Sequence, residues 1–420
     1  MDCKKYNIFI FMLSYLIFRV VSFTPEGRLA HSSVLVGNKL YFLGGRVSKS
    51  CTNQVFYLDL SQSFDLTTPP WISLTQNAGI PFKSCWGTAL LNDKEQTIYL
   101  FGGLMRNDLN QDAFVSNVYS FNLNSLLWNV PTVEGTPPKR RRNMKGVIDN
   151  TGKIYIFGGG TNNAIGSEAE IYFNDMVILN TVELSWVINT DNQPNSSHTY
   201  TATLLSNGVI VYIGGAEVIE DSPKFIDIKK INLFDTKSST WSVKIATASN
   251  IIQNRLGHTA ILASDDEIII YGGSNGGENI QVIPNLFVLN MKTEQFELMV
   301  PPVYGQFPPS LTYHTADLVG NYMVVAFVTS AISTNSDPST TKSSPTTSII
   351  VITNNSYSEL VTMKIIIASI GGIVGVIIIM ACGFLFYRWN KNKKRNEQYP
   401  RYINEEHTLP GNIVEHNSNS

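Results

Sequence analysis

Short apolar runs rich in β-branched and aromatic residues, each punctuated by turn residues, succeed one another along most of the chain. Runs of that kind predict strands. One set ends in two glycines: "NKLYFLGGR" (Gly44, Gly45), "TIYLFGGL" (Gly102, Gly103), "KIYIFGGG" (Gly158, Gly159), "VIVYIGGA" (Gly214, Gly215) and "EIIIYGGS" (Gly272, Gly273). These pairs recur at intervals of 58, 56, 56 and 58 residues. A second set ends in Asp or Asn, as in "NQVFYLDL", "NVYSFNL", "NDMVILN", "KKINLFD" and "PNLFVLN". An aromatic residue follows each glycine pair after 23 to 27 residues: Trp71, Trp128, Trp186, Trp241 and Phe296. With a further apolar run before each glycine strand, every period holds about four strands. Such a period across five copies is a repeat architecture.

Four antiparallel strands in roughly 57 residues make one blade of a β-propeller. Glycine at a strand end admits positive φ and lets neighbouring backbone approach without a Cβ in the way. The recurring Trp supplies an apolar plate to bury between adjacent blades. No blade buries both faces alone, so the repeats must close on themselves.

Apolar strand, Gly-Gly, spacer, Trp resembles the kelch repeat. Its leading element is present too, as in Arg28-Leu29-Ala30-His31 and Arg255-Leu256-Gly257-His258. The likeness covers roughly residues 25 to 362. Cys85-Trp86-Gly87 and Asn143-Met144-Lys145 replace the leading His in the second and third repeats. A sixth, eroded copy begins at "SLTYHTADLVGNYMVVAFV", with His314 aligned on His31 and Phe327-Val328 where the glycines belong. "SIIVITNNSYSELV" (348–361) completes it, after a Ser/Thr/Pro-rich insert at about 333–347; the alternative for this stretch is a simple stalk. The expected fold is therefore all-β, a kelch-type propeller of six four-stranded blades over 23–362.

Two flanking segments change the picture. "YNIFIFMLSYLIF" behind Lys4-Lys5 predicts a signal peptide over 1–22, with an uncleaved anchor as the alternative. "IIIASIGGIVGVIIIMACGFLFY", Ile365 to Tyr387, carries no charge and is long enough to span a bilayer. Arg388, Lys391, Lys393, Lys394 and Arg395 follow it. The expectation is a single-pass type I protein, with a transmembrane helix over 363–387 and a cytoplasmic tail over 388–420. The propeller then lies outside the plasma membrane or in the lumen of the secretory pathway. Gly371 and Gly375 form a GxxxG that could pair the span into a dimer.

On an exported chain, Cys51 and Cys85 are expected to form a disulfide, and Asn195 and Asn354 to carry glycans. A net charge of −2 gives no electrostatic case for nucleic acid. His31, His258 and His314 hold equivalent repeat positions and could meet at a metal, but hydrogen bonding within the blade explains them as well. Lys139 to Lys145, "KRRRNMK", is the one basic run away from the apolar segment. Neither Ser/His/Asp order nor phosphate loop appears. No catalytic residue, cofactor or metal is assigned. The expected function is binding an extracellular protein or glycan. The alternative is a copper-radical carbohydrate oxidase resembling galactose oxidase, whose site needs a Cys cross-linked to Tyr, a second Tyr and two His.

Overall fold

The computed structural model describes residues 23–353, except 66–67, 166, 168–169, 220–221, 277–281, 292–296, 300–310 and 328–348. The expected signal peptide, insert, span and tail lie outside these residues, as do Phe296, Asn354, Gly371 and Gly375. Among the described residues no helix is long and apolar enough to cross a membrane.

Each repeat folds into one antiparallel sheet. The first sheet runs Ser32–Val36, Lys39–Leu43, Val55–Asp59 and Trp71–Ser73, in that spatial order. The second (Thr88–Asn92, Thr97–Phe101, Val118–Asn122, Leu127–Asn129) repeats the pattern. So do the third (Gly146–Ile148, Lys153–Phe157, Met176–Asn180, Ser185–Asn189) and the fourth (Thr201–Leu204, Val209–Ile213, Lys230–Asp235, Thr240–Ile245). The fifth has Thr259–Ser264, Glu267–Tyr271, Leu286–Asn290 and Glu297–Met299, with Thr247–Ala248 added in parallel at its outer edge. In the sixth, Thr315–Val319 and Tyr322–Ala326 are joined by Ile349–Thr353. The eroded copy thus supplies a third strand across the long segment that separates it from the first two.

The second strand of each sheet is a continuous apolar run buried at nearly every position, and successive residues point to opposite faces, so the core lies between sheets rather than inside any one of them. Ile98, Phe121 and Trp128 of the second sheet pack on Tyr41, Leu43 and Val55 of the first. Trp186 joins Tyr99 and Phe101 in the next seam, and Trp241 packs with Tyr155 and Phe157 in the one after. Further clusters join the fourth sheet to the fifth and the fifth to the sixth. The last cluster brings Val324, Ala326 and Phe327 of the sixth sheet against Phe42, Phe56 and Trp71 of the first. Trp71, Trp128, Trp186 and Trp241 each sit against the preceding sheet, as the plate argument requires.

The glycine pairs stitch the seams. The second glycine of each donates its N–H to a carbonyl of the next repeat: Gly45 to Ser84 at 2.8 Å, Gly103 to Arg141 at 2.9 Å, Gly159 to Ser197 at 2.9 Å, Gly215 to Arg255 at 2.8 Å and Gly273 to Leu311 at 2.7 Å. Gly215 shows why no side chain fits. Its φ is +86°, and a Cβ would stand 2.6 Å from the His198 oxygen and 2.8 Å from the Tyr200 nitrogen. Both obstacles are backbone, so neither can turn aside. Gly215→Ala is expected to cost about 2–5 kcal/mol, left-handed strain and overpacking together. A denaturant midpoint matching the parent protein's would contradict that.

In the sixth repeat Phe327 stands in the glycine position and takes φ +64°. Its ring lies 5.1 Å from His31, 5.1 Å from Phe42 and 5.6 Å from Trp71, so here a side chain fills the seam.

Candidate functional site

Loops distribute unequally over the two ends of the sheets. At one end the first and second strands are joined by short turns: 37–38, 93–96, 149–152, 205–208, 265–266 and 320–321. At the other end lie the long connections 44–54, 102–117, 158–175, 214–229 and 272–285, and the links from sheet to sheet. Loops on a rigid frame are where binding residues concentrate.

At this end one residue per repeat, directly before each inner strand, has a left-handed backbone. They are Ala30 (φ 54°), Trp86 (65°), Asn143 (61°), Thr199 (60°), Gly257 (64°) and Tyr313 (58°). Their backbones form a closed hydrogen-bond circuit. Trp86 N–H donates to Ala30 at 2.9 Å, Asn143 to Trp86 at 3.1 Å and Thr199 to Asn143 at 2.7 Å. Gly257 then donates to Thr199 at 3.1 Å, Tyr313 to Gly257 at 2.8 Å, and Ala30 to Tyr313 at 2.8 Å. Left-handed Trp, Thr and Tyr each store of order 1–3 kcal/mol, held only because the circuit fixes them. Strain of this kind gathers where function does.

The circuit surrounds a cavity of about 150 Å³. Trp86 and Tyr313 form one wall, edge to face at 4.6 Å. Asn143 presents a buried Oδ1 without a partner, and Lys145 is exposed to the cavity while protein surrounds it. Burial lowers the Lys145 ammonium, opposed by the Asp317 carboxylate. Just outside, Tyr172 stacks on His198 at 4.6 Å and donates its hydroxyl to Glu170 at 2.8 Å. Burial brings the His198 imidazole down to about 4, against the pull of Glu170.

His31, His258 and His314 do not converge on a metal. Each Nε2 meets a hydroxyl of the preceding repeat: His258 with Thr201 at 3.3 Å, His314 with Thr259 at 2.9 Å and His31 with Thr315 at 2.9 Å. They are latches between sheets, not bonds within a blade. Among the described residues no group of three or more His, Cys, Asp and Glu could hold a metal ion.

The basic run also disperses. Arg140 grips Asp112 at 2.7 and 2.8 Å. Arg141, fully buried, reaches Asp175 at 2.6 and 2.9 Å and the Gly158 carbonyl at 2.9 Å. Arg28 and Arg255 repeat the carbonyl contact on Gly44 and Gly272, at 3.0 and 2.9 Å. Of the run's basic residues, Lys145 alone lines the cavity.

Cys51 and Cys85 form a disulfide, Cα atoms 5.5 Å apart, joining the first long loop to the strand before Trp86. Neither thiol is left to link to a tyrosine ring, so the residues do not fit a copper-radical oxidase. Asn195 is exposed, with its Nδ2 donating to Glu217 at 3.1 Å.

No residue signature in the sequence marks the left-handed circuit. Its positions do recur every 56 to 58 residues, immediately before the leading His. Six different residue types there hide the period.

The Kelch-repeats domain of KLHDC2, KLHL20 and DRC7 matches residues 30–248, just over half of the 420. Kelch domain-containing protein 3 of Rattus norvegicus is 28% identical over 265 residues, 60% of this chain and 65% of that protein. Leucine-zipper-like transcriptional regulator 1 of Homo sapiens is 25% identical over 270 residues, 60% of this chain and 28% of that one. The chain thus spans less than two thirds of either relative. Among solved structures, that of YjhT superposes with a TM-score of 0.54 at 14% identity, covering 79% of this chain and 96% of its own, a likeness of fold alone.

The expected type I placement, with the propeller extracellular or lumenal, is corrected by these findings. It rested on the apolar run at 365–387, which lies outside the described residues. Within them no helix is long and apolar enough to cross a membrane, and the relatives are Kelch domain-containing proteins and a transcriptional regulator. The glycine stitches, the interleaved Trp plates and the match over 30–248 agree on one assignment: the chain belongs to the KLHDC2/KLHL20/DRC7 Kelch-repeat family.

Proposed function

We propose that this chain is a protein-binding module that engages its partner over the long-loop end of the propeller, across the cavity mouth. The observation that carries this reading is the strained circuit, which holds Trp86 and Tyr313 at the rim. Aromatic side chains fixed in place make strong anchors for a partner because little rotamer freedom remains to be lost. The surrounding loops add apolar side chains in solvent: Leu109 at 78% exposure, Val115 at 74%, Ile251 at 90% and Ile283 at 68%. The same reading takes the ring as six-bladed, a count supported by the closed circuit and by the seam between the sixth and first sheets.

Loop-face and outer-strand substitutions separate this from other surfaces. Leu109→Asp with Ile283→Asp is expected to lower recovery of proteins captured by the full chain about tenfold or more. Val187→Asp with Val243→Asp, on exposed positions of outer strands, is expected to leave recovery unchanged. Loss of capture by the outer-strand pair and not by the loop pair would overturn the proposal.

A further inference from the structure

We propose that Lys145 is a covalent capture site for small neutral aldehydes, its ε-amine forming an imine inside the cavity at the propeller axis. The position is unusual within the repeats. Where the third repeat has Lys145, the others carry a hydroxyl: Ser32, Thr88, Thr201, Thr259 and Thr315. Three of those hydroxyls receive the imidazole of the following repeat. After Lys145 the following repeat offers Tyr200 instead, whose hydroxyl is spent on the Phe157 carbonyl. The amine therefore has no latch to make. Among the described residues Nζ forms neither ion pair nor hydrogen bond.

Its surroundings suit a nucleophile. The titratable groups that share its cavity are His31, His258 and His314, all held neutral by burial, with Tyr200 and Tyr313. Its charged neighbour is Asp317, which accepts from the Ser33 hydroxyl at 2.5 Å on the far inner strand. The side chain is exposed to the cavity rather than sealed off from solvent, and its surroundings still lower the ammonium, so more free base is present at neutral pH than on a lysine in open solvent. The aromatic wall of Trp86 and Tyr313 favours an aliphatic chain over a charged one. In the step, the nitrogen lone pair forms a bond to the aldehyde carbon. The two amine hydrogens then leave with the carbonyl oxygen as water, and a C=N bond remains. No oxidant or reductant takes part, and water reverses it.

The test uses the full chain with propionaldehyde at pH 7 and cyanoborohydride, which delivers hydride to the imine carbon and fixes the adduct as a secondary amine. Peptide mass mapping then follows every lysine with time. Lys145 is expected to be propylated at least tenfold faster than the exposed Lys49, Lys224 and Lys244. Lys145→Met should remove that fast phase and leave the slow ones. Labelling of Lys145 at or below the rate of Lys49 in the unaltered chain would overturn the proposal, whatever the variant does.

Discussion

A chain ending at Thr347 melts several degrees below one ending at Thr362, or does not fold. The difference between the two is the strand Ile349–Thr353, which pairs in full register with Tyr322–Ala326, Ala326 opposite Ile349 and Tyr322 opposite Thr353. Removing it opens an edge on the sheet that closes the ring. Tyr322–Ala326 is also more deeply buried than its neighbour Thr315–Val319. Met323 and Val325 pack toward the fifth sheet, Val324 and Ala326 toward the first, all at 5% exposure or less. Loosening it therefore weakens two seams at once, each lined by aliphatic groups whose burial contributes about 1.5–3 kcal/mol apiece. Superimposable melting curves for the two proteins would show that 348–362 is solvated chain and that closure does not depend on it.

That strand was legible in the sequence through the likeness of 348–361 to the corresponding run of the earlier repeats, and the structure pairs it as the third strand of the sixth sheet. The glycine pairs were legible because the next repeat's backbone occupies the space of a Cβ, so residue identity is forced at Gly215 and its equivalents. The Trp plates were legible for a similar reason, since each seam needs one large flat side chain. Phe327 solves the same problem as a glycine pair by filling the seam rather than vacating it, and it is placed by the alignment of His314 on His31 rather than by the glycine pattern.

The candidate site was legible only in part. The left-handed circuit is built from N–H and C=O groups, so Ala, Trp, Asn, Thr, Gly and Tyr all serve and no residue signature survives. The histidines were visible, but their partners were not: Thr315 lies 284 residues from His31, and only ring closure brings them together. "KRRRNMK" is one basic run in the sequence, but its consecutive side chains leave in different directions. Arg140 goes to Asp112, Arg141 to Asp175 and Lys145 to the axis.

The three histidine latches make the ring acid-sensitive, and steeply so. Burial holds His258 and His314 down to about 3, the Arg255 and His314 charges adding to the effect at His258; burial, Arg28, His314 and Lys145 hold His31 well below its ordinary range. In the unfolded chain each titrates near 6.5. A depressed folded value means the unfolded state binds the extra proton, so the stabilisation is fully present above about pH 6.5 and is lost as pH falls toward 3. Between about pH 5.5 and 4 each imidazole contributes roughly 1.4 kcal/mol of lost stability per pH unit, and the three together about 4. Against a total near the lower end of the roughly 5–15 kcal/mol of a folded protein, that slope places acid unfolding above the pH at which most carboxylates protonate. Asp317, raised by its own burial, works in the opposite sense, but as one group against three. His198, held down to about 4, adds its own share above that pH. His314→Gln keeps an amide to meet Thr259 and removes one of these titrating sites, so its stability should fall with pH about a quarter less steeply. Denaturant unfolding measured from pH 7 to 4 decides it: a stability that stays level down to pH 4.5 would mean the imidazoles take up protons without breaking the seams.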